Sequence, residues 1–532
     1  MPSVREAAFE LFRARGMTTV FGNPGSTELP MLADFPDDFD YVLGLQEAVA
    51  VGMADGFAQA SGRPALVNLH TAPGLGNAMG AIFNAQANHA PLVITAGQQA
   101  RSLMTLQANL TNRDAVRVTD PFVKWSYEPP RAADVPLALA RATHLATLPP
   151  LGPTFVSVPM DDWAAEVDPT DAAEAINRRV SGLAVADPGA VAALARRLEA
   201  ASSPVLVAGP DIDAAGAWDA AVALVERLRL PVWATPPPGG GRLGFPEGHP
   251  NFRGSLPPAI GPAGETLAAY DLVLAVGTSV FPYYPNIPGR LLAEGTELVA
   301  ITSDPDEAAR APMGDAIVAD VRLTLEALTE AVPEPDRPAP EPLPPPEAGE
   351  ETDPLSPTMV HHTLAEVSPD DSIVVLESPS STLALRNQLR ISRPGSYYFG
   401  AGGGLGFGLA AAIGVQLAAP NRPVVCVLGE GSVQYAVTGF WTAAAYSVPV
   451  AFLVLRNSEY AILKWFGSIE QVDGAPGLDL PALDCAAVAA GYGVPSGRVA
   501  DREELRVALE AAISSDRPQL VEVEVTPGMA LF

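Results

Sequence analysis

Short apolar runs that alternate with helix-length segments constrain this chain more than any other feature of its sequence. The first series contains TTVFG, YVLGL, ALVNLH and PLVITAG. A second series begins near Ser203 with PVLVAGP, DLVLAVG and ELVAITSD, and a third contains SIVVLES, PVVCVLGEG, PVAFLVLRN and QLVEVEV. This rhythm is typical of parallel sheets, whose strands are buried on both faces by helices. The sequence therefore predicts three doubly wound α/β domains.

The length and one proline-rich segment indicate where these domains divide. A chain of 532 residues is too long for one hydrophobic core, because single cores rarely exceed about 300 residues. The segment EPDRPAPEPLPPPEAGEETDP, at 334–354, is dense in proline and acid and has no apolar period, which indicates an extended linker. We place the domains at 1–165, 182–333 and 355–532.

The charge balance restricts the partners of this protein. Lys and Arg total 32 and Asp and Glu total 61, which gives a formal net charge of -29. Such a surface repels phosphate backbones and anionic lipid headgroups, so we expect neither nucleic acid nor membrane partners. Lys124 and Lys464 are the only lysines, and the other cationic side chains are arginines.

The cysteine count and the N-terminal segment both indicate the cellular compartment of the protein. Two cysteines, Cys426 and Cys485, exclude a disulfide framework and a cysteine-rich metal site. The N-terminal segment has the spacing of an amphipathic helix and carries acidic residues, unlike a signal peptide. The most apolar long stretch, 402–419, is too short and too rich in glycine to span a bilayer. We therefore expect a cytoplasmic protein.

Polar side chains follow three runs of the first series at the point where each run ends. These residues are Ser26, Glu47 and His70. Because ligands bind beyond the carboxyl ends of parallel strands, we expect all three at one edge of the sheet. Each alone is open to a structural interpretation, as a helix cap, a first-turn residue or a hydrogen-bonded core residue. The apolar segment AVAVGM after Glu47 indicates a buried carboxylate, which requires a partner or a proton.

The third series places a carboxylate and a carboxamide after consecutive strands. PVVCVL leads into Gly429-Glu430-Gly431-Ser432, and PVAFLVL leads to Asn457, 27 positions beyond Glu430. Oxygen ligands of this kind suit a hard cation that also binds phosphate oxygens. The glycines beside Glu430 let the backbone approach such a phosphate closely. A lone Gly-acid-Gly turn is common, so it is the pairing with Asn457 that makes the signal strong.

These residues stand in a sequence that resembles the thiamine-diphosphate-dependent 2-keto acid decarboxylases, the benzoylformate decarboxylases in particular, over nearly its whole length. The resemblance is carried by FGNPGSTELP, LQEAVAVGMADGFAQASGRPA, NLHTAPGLGNAMGA, LTNRDA, VKWSYEP, RAPMGDAIVADV, PGSYYFGAGGGLGF and AAIGVQLA. It implies that 1–165 binds the pyrimidine, that 182–333 is a central domain without a nucleotide, and that 355–532 binds diphosphate and metal. It also implies sites between two subunits, hence an obligate dimer and commonly a homotetramer, a dimer of dimers.

The resemblance also implies roles for individual residues. Glu47 would hydrogen-bond the aminopyrimidine ring of thiamine diphosphate, and Ser26 and His70 would meet the substrate carboxylate and the reacting carbonyl. Leu405 would keep the cofactor bent. The remaining cofactor positions are Ser380, Gly403, Gly431, Ser432 and Tyr460, and the positions for Mg2+ or Ca2+ are Glu430, Asn457 and the carbonyl of Glu459.

The sequence departs from the family pattern in three respects. The metal aspartate is Glu430 here, and Tyr284 stands where the relatives have a second active-site histidine. The substrate pocket also differs, since Asn109 and Ile462 replace a leucine and an alanine. The other predicted pocket residues are apolar, namely Leu110, Phe399, Leu463 and Phe466.

Four functions compete for this sequence. The leading hypothesis is non-oxidative decarboxylation of an aromatic or bulky 2-keto acid to aldehyde and CO2, with carboligation of aldehydes as a side activity. The second is a dedicated carboligase or acetolactate-synthase-like transferase, which the products would distinguish. The third is an oxidoreductase that binds flavin or nicotinamide, although the glycines at 74, 76 and 80 lack dinucleotide spacing. The fourth is a non-catalytic relative that has lost its metal through Glu430.

Overall fold

The computed structural model of this chain describes residues 1–237 and 241–530, and it contains three six-stranded sheets in which every pairing is parallel. The first sheet has the order β2, β1, β3, β4, β6, β5, the second β12, β11, β10, β7, β8, β9, and the third β14, β13, β15, β16, β18, β17. The predicted fold class, three parallel α/β domains, is confirmed.

Each sheet is formed by strands of one domain. The strands are β1 Thr19–Asn23, β2 Asp40–Leu43, β3 Ala65–Leu69, β4 Leu92–Gln98, β5 Ser126–Tyr127, β6 Thr154–Pro159, β7 Pro204–Ala208, β8 Val232–Ala234, β9 Phe252–Ser255, β10 Leu272–Val276, β11 Glu297–Thr302, β12 Asp315–Val318, β13 Ile373–Glu377, β14 Tyr397–Phe399, β15 Val424–Gly429, β16 Val450–Arg456, β17 Ser496–Val499 and β18 Gln519–Glu524.

Helices connect these strands and cover the sheets. They are α1 Val4–Ala14, α2 Leu29–Leu32, α3 Glu47–Ser61, α4 Thr71–Ala87, α5 Arg101–Met104, α6 Ala115–Val118, α7 Val135–Thr147, α8 Pro169–Asn177, α9 Pro188–Ala200, α10 Pro210–Ala214, α11 Trp218–Leu228, α12 Ile260–Leu267, α13 Pro305–Arg310, α14 Val321–Ala331, α15 Pro357–Val367, α16 Thr382–Leu389, α17 Phe407–Ala418, α18 Glu430–Val433, α19 Gly439–Ala445, α20 Ala461–Glu470, α21 Cys485–Gly491 and α22 Arg502–Ile513. Within the described ranges, none of them is long and apolar enough to cross a membrane.

All but one of the apolar runs form inner strands; the run YVLGL forms the edge strand β2, and the other edge strands lie outside the runs. All residues of β3, β7, β10 and β13 are buried, as expected for strands covered on both faces. In contrast, the residues of the edge strands β12 and β17 are exposed or half-buried. An edge strand needs no continuous apolar run, so its sequence does not separate it from a loop.

The first and third domains share one apolar core through the packing of α3 against α17. A side chain at Gly56 would place its Cβ 2.2 Å from the carbonyl oxygen of Ala411, and one at Gly414 would lie 1.8 Å from that of Met53. Only glycine permits this approach of the two helix backbones. The two domains are therefore tightly packed within a single chain.

The proline-rich segment and the two lysines are both held by polar contacts. Residues 334–352 contain no helix or strand, and Arg229, Arg253 and Arg390 donate hydrogen bonds to carbonyl groups of this segment.

The ammonium group of Lys124 donates to two backbone carbonyls at the end of α7, and that of Lys464 binds the carboxylates of Glu459 and Asp479.

Candidate active site

The carboxyl ends of β1, β2 and β3 bring Ser26, Glu47 and His70 to one edge of the first sheet. Parallel register pairs Gly22 with Leu43 and Asn23 with Leu69, so the segments after these strands are neighbours. Ser26 is exposed in the turn after β1, Glu47 is the first residue of α3, and His70 directly follows β3. The sheet thus delivers the three side chains to the edge where the sequence predicts them.

A buried glutamate that the sequence did not single out holds His70. Glu28 is 1% exposed, and its Oε2 lies 2.8 Å from Nδ1 of His70. The other Glu28 oxygen accepts hydrogen bonds from Thr27 Oγ1 at 2.7 Å and from the Gly97 amide at 2.8 Å. A ring nitrogen beside a carboxylate carries the proton, so Nδ1 is the donor and Nε2 is left free to meet a substrate. An acidic residue two positions after Ser26 was the only signal in the sequence.

Glu47 is buried with two neutral donors and no cation. Its side chain is 7% exposed, and its oxygens accept hydrogen bonds from the amides of Asn23 at 3.2 Å and Asn77 at 3.1 Å. Gly74 leaves room for this carboxylate, because a Cβ there would lie 3.0 Å from Glu47 Oε1. Two neutral amides therefore hold the Glu47 carboxyl group in place.

The turn after β15 contains a buried carboxylate oxygen without a hydrogen-bond partner among the described residues. This oxygen is Oε1 of Glu430, whose residue is only 2% exposed. Burial raises the pKa of Glu430, and the backbone amides of 457–459 oppose that shift. A Cβ at Gly431 would lie 2.6 Å from the ring of Tyr460, so glycine is required there. An orphaned carboxylate oxygen in a glycine turn fits a site for a metal and a phosphate group.

The other predicted metal and cofactor residues, with the exception of Gly403, line the same cavity as Glu430. The residues that line it include Ser380, Leu405, Gly431, Ser432, Asn457, Glu459, Tyr460 and Ile462. Asn457 directly follows β16, and its Oδ1 accepts a hydrogen bond from the Glu459 amide at 3.2 Å. The Glu459 carboxylate accepts from the Gly528 amide at 2.8 Å and pairs with Lys464. Its side chain is therefore engaged with the C-terminal segment.

A second glutamate that sequence analysis missed fixes the loop that carries Leu405. Glu377 is 4% exposed at the end of β13 and accepts three backbone hydrogen bonds, from Gly406 at 2.7 Å, Phe407 at 3.1 Å and Gly408 at 3.1 Å. Burial raises the pKa of Glu377 to about 8, although these amides oppose the shift. The contact holds the start of α17. Leu405 then lines both the cavity around Glu430 and a second cavity toward Asn77 and Asn84.

The predicted pocket residues fall into two groups. Asn109 and Leu110 lie on the loop after β4 of the first domain. Ile462, Leu463 and Phe466 lie on α20, Phe399 ends β14, and Tyr284 packs its ring against Phe466 with centroids 4.5 Å apart. Tyr284 is 57% exposed. The residues of the second group therefore lie on the third domain or, in the case of Tyr284, pack against it.

A further buried carboxylate lies between the first and third domains. Asp55 of α3 is fully buried and accepts hydrogen bonds from Gln59 Nε2 and Asn88 Nδ2, each at 2.8 Å. Burial raises the pKa of Asp55 to about 7, against the effect of these donors. The same Asn88 accepts from the Ala401 amide at 2.9 Å. Asp55 therefore helps, through Asn88, to hold the loop at 401–406 in place.

The two halves of the site do not line a common cavity within one chain. Every residue that lines the cavity around Glu430 belongs to the third domain, between Pro357 and Val525. Ser26, Glu47 and His70 are absent from its lining. The chain thus carries one half-site with an imidazole held by Glu28 and a carboxyl group held by two amides, and another with an orphaned carboxylate oxygen.

Three family models match this chain in the order of its three sheets. Residues 2–116 match the N-terminal TPP binding domain of thiamine pyrophosphate enzymes, 191–328 their central domain, and 380–523 their C-terminal TPP binding domain. Together these matches cover well over half of the sequence.

Whole-length relatives agree with these matches. The chain is 51% identical over 524 residues to the benzoylformate decarboxylase of Pseudomonas aeruginosa, which covers 98% of this chain and 99% of that protein. The structure of a thiamine diphosphate-dependent 4-hydroxybenzoylformate decarboxylase from Rhodococcus jostii RHA1 matches with a TM-score of 0.97 and 46% identity, and covers 100% of both chains. That of the benzoylformate decarboxylase from Polynucleobacter necessarius matches with a TM-score of 0.96 and 40% identity, again over 100% of both.

Proposed function

The chain belongs to the thiamine pyrophosphate enzymes, and from that premise we propose that it decarboxylates a benzoylformate-like 2-keto acid to the aldehyde and CO2. The identity of 51% to a benzoylformate decarboxylase over 98% of this chain carries the proposal. The aromatic surface of Tyr284, Trp465 and Phe466 supports an aromatic acyl group, because their rings pack at centroid distances of 4.5 and 5.1 Å.

Thiamine diphosphate, when bound, supplies an electron sink for the electron pair that the departing CO2 leaves behind. Glu47 would hold the aminopyrimidine ring and exchange a proton with it, since its two amide partners are neutral. His70 would present Nε2 to the substrate, because Glu28 holds its Nδ1 at 2.8 Å. Ser26, exposed beside them, would donate to the substrate carboxylate. A pocket lined by apolar α20 side chains favours a step that disperses charge.

For the metal, we propose Mg2+ or Ca2+ held by Glu430, Asn457 and the carbonyl of Glu459. The orphaned Oε1 of Glu430 supports this assignment, since a hard cation would satisfy it. The longer side chain of glutamate preserves the carboxylate chemistry that the family pattern supplies with aspartate. The remaining cofactor contacts would come from Ser380, Gly403, Leu405, Gly431, Ser432 and Tyr460.

We further propose that two copies of the chain complete each site, as a dimer or a dimer of dimers. The cavity around Glu430 is lined by third-domain residues alone, and this supports a first domain that comes from a partner. Chains that carry Glu47→Gln and chains that carry Glu430→Gln, once unfolded and refolded together, should regain about a quarter of wild-type activity by random pairing. Each variant alone, assayed at a thiamine diphosphate concentration that saturates the wild type but not Glu430→Gln, should show little activity. A mixture without activity would contradict the shared site.

The function is tested with a panel of 2-keto acids, thiamine diphosphate and Mg2+, while CO2 and aldehyde are both measured. We expect benzoylformate and its ring-substituted analogues to give equal amounts of the two products, and Glu47→Gln to serve as the matched inactive control. Pyruvate that yields acetolactate in place of aldehyde would contradict the proposal and favour the transferase. Carboligation of added aldehydes, which we propose as a side activity, is read from the same mixtures.

A further inference from the structure

A large cavity outside the two half-sites lies where the three domains meet. Its volume is about 810 Å3, and its walls include the carboxyl ends of β7, β10 and β11 together with the end of α4. Ligands of parallel α/β domains bind beyond the carboxyl ends of strands. The polar residues of this wall that carry the argument are His89, Asp211, Asp304 and Glu307.

Three of these residues are grouped closely enough to bind one ion. One ligand atom each of His89, Asp304 and Glu307 lies within 4.8 Å of the others. Bonds of about 2.1 Å to a metal place neighbouring ligand atoms roughly 3 to 4 Å apart, so rotations of the side chains suffice to close the cluster. His89 comes from the first domain, whereas Asp304 and Glu307 come from the central domain, where Asp304 caps the N-terminus of α13 and Glu307 lies in its first turn.

Each of the three side chains is already held by a hydrogen bond to a neighbouring residue. His89 uses Nδ1 toward Asp211 Oδ1 at 3.3 Å, which leaves Nε2 available. Asp304 accepts the Asp306 amide through Oδ1 at 2.8 Å, and Glu307 accepts Thr302 Oγ1 through Oε2 at 3.0 Å. A carboxylate behind a histidine is the usual arrangement in metal sites, because it fixes the ring and its tautomer.

The charge around His89 leaves room for a cation. The groups that face it are the carboxylates of Asp211, Asp304 and Glu307, with Arg310 at the rim 3.4 Å from Glu307. Burial lowers the pKa of His89, but the three carboxylates outweigh it and raise the value to about 9. The Arg310 side chain is 59% exposed and therefore neutralises Glu307 weakly. A divalent ion would replace the imidazole proton and balance the remaining negative charge.

We propose that His89, Asp304 and Glu307 bind a divalent metal that joins the first domain to the central domain, with Asp211 as the outer partner of the imidazole. One imidazole with two carboxylates suits Zn2+ or Mn2+ better than Mg2+, which prefers oxygen ligands alone. The site is separate from Glu430. Because Asn88 precedes His89 and holds both Asp55 and the Ala401 amide, the ion would tie all three domains together.

The experiment uses the holoenzyme, saturated with thiamine diphosphate and excess Mg2+, and measures Zn2+ binding by calorimetry and by metal content after gel filtration. We expect one Zn2+ per chain and a melting temperature that rises by a few degrees. His89→Gln and Glu307→Gln should each weaken Zn2+ binding at least tenfold, and Asp211→Asn should weaken it by a smaller factor. His144→Gln, which removes another first-domain imidazole, is the matched control and should bind as the wild type does.

Two results would overturn the proposal. The first is that no Zn2+ binds beyond the amount that displaces Mg2+. Loss of bound Mg2+ in the metal analysis would reveal that displacement. The second is equal Zn2+ affinity in wild type, His89→Gln and Glu307→Gln, which would assign the binding to other residues and leave His89 as a protonated ion-pair partner. Decarboxylation measured on the same samples shows that each variant is folded. Since binding is measured without substrate, its failure leaves the proposed reaction unaffected.

Discussion

The turn after β1 and the turn after β15 each bury one glutamate at the carboxyl edge of a parallel sheet, but they satisfy its oxygens differently. Glu28 is 1% exposed, and both of its oxygens accept hydrogen bonds from the imidazole, a hydroxyl or backbone amides. Glu430 is 2% exposed, and its Oε1 has no partner within the described ranges.

This difference distinguishes a carboxylate that positions another side chain from a carboxylate that binds a ligand. A buried carboxylate whose oxygens are satisfied within the chain has no capacity left for a ligand, and its effect passes through the group that it holds. A buried carboxylate with an orphaned oxygen carries a desolvation cost that a bound cation would offset. Glu28 should therefore act on turnover through His70, whereas Glu430 should act on cofactor and metal binding.

Glu47 provides the largest expected effect: it lies at the same sheet edge as Glu28, and its hydrogen-bond partners among the described residues are two neutral amides. Glu47→Gln cannot exchange a proton, so we expect turnover at saturating cofactor to fall about a hundredfold or more. Melting temperature and bound thiamine diphosphate should stay near wild-type values. Activity within a few-fold of wild type would remove Glu47 from the mechanism and break the contrast between exchanging and positioning carboxylates.

Glu430→Gln tests the orphaned oxygen directly. We expect the affinity for thiamine diphosphate in the presence of Mg2+ to fall about tenfold to a hundredfold, because a neutral amide is a weaker ligand for a hard cation. Dialysis of the wild type against a chelator should release the cofactor for the same reason. Full retention of cofactor by metal-free protein would contradict the metal site and point to direct binding of the diphosphate.

Glu28→Gln is the matched change in the other turn. An amide at this position loses the charge that holds Nδ1 of His70, so we expect turnover to fall about tenfold. Cofactor affinity should match the wild type, in contrast to Glu430→Gln. An altered cofactor affinity with unchanged turnover would reverse the proposed division between the two turns.

Asp55 extends the comparison to a buried carboxylate that accepts hydrogen bonds within the chain and for which we propose no ligand. Its pKa is about 7 in the folded chain, whereas an unfolded aspartate titrates near pH 4. The folded state therefore binds more protons between these values, so this group's contribution to stability falls as pH rises from about 4 to 7. The Asp55→Asn variant should lack this pH-dependent contribution to stability. Between pH 5 and pH 7.5 the melting temperature of the wild type should fall several degrees further than that of Asp55→Asn. Equal falls in the two proteins would contradict this prediction.

Tyr284 carries the smallest expected effect. The carbon that loses CO2 must take up a proton, and a phenol is a poorer proton relay than an imidazole at neutral pH. Tyr284→His should therefore raise aldehyde release relative to carboligation about two- to threefold, read from product ratios with an added aldehyde. An unchanged ratio would place Tyr284 outside the proton path.

The sequence predicted the features that depend on continuous local patterns. Apolar runs located the inner strands, and the residues directly after them located Ser26, Glu47 and His70 at one edge. It did not locate β12 or β17, whose exposed residues lack such runs. The placement of Leu405 came from the family resemblance, because nothing in a glycine-rich loop indicates which cavity its one large side chain lines.

Glu28 and Glu377 were missed for a different physical reason. Each is recognisable only from contacts with distant residues: Glu28 meets His70 and the Gly97 amide, and Glu377 meets the amides that begin α17. Acidic residues at strand ends are usually solvated, so their burial depends on chain segments that a linear pattern does not bring together. The metal and pocket residues remain predictions, because their roles depend on contacts with a bound cofactor and substrate.

The two lysines have a consequence for an enzyme that releases aldehydes. Aldehydes condense with neutral primary amines, whereas the guanidinium of arginine keeps its proton. Lys464 stays charged in its two ion pairs, but burial lowers the pKa of Lys124 to about 8, so Lys124 holds most of the neutral side-chain amine near neutrality. A surface that carries arginine in place of lysine therefore resists covalent damage by its own product, and mass spectrometry of aged enzyme should find the imine, once reduced, mainly at Lys124 and the N-terminus.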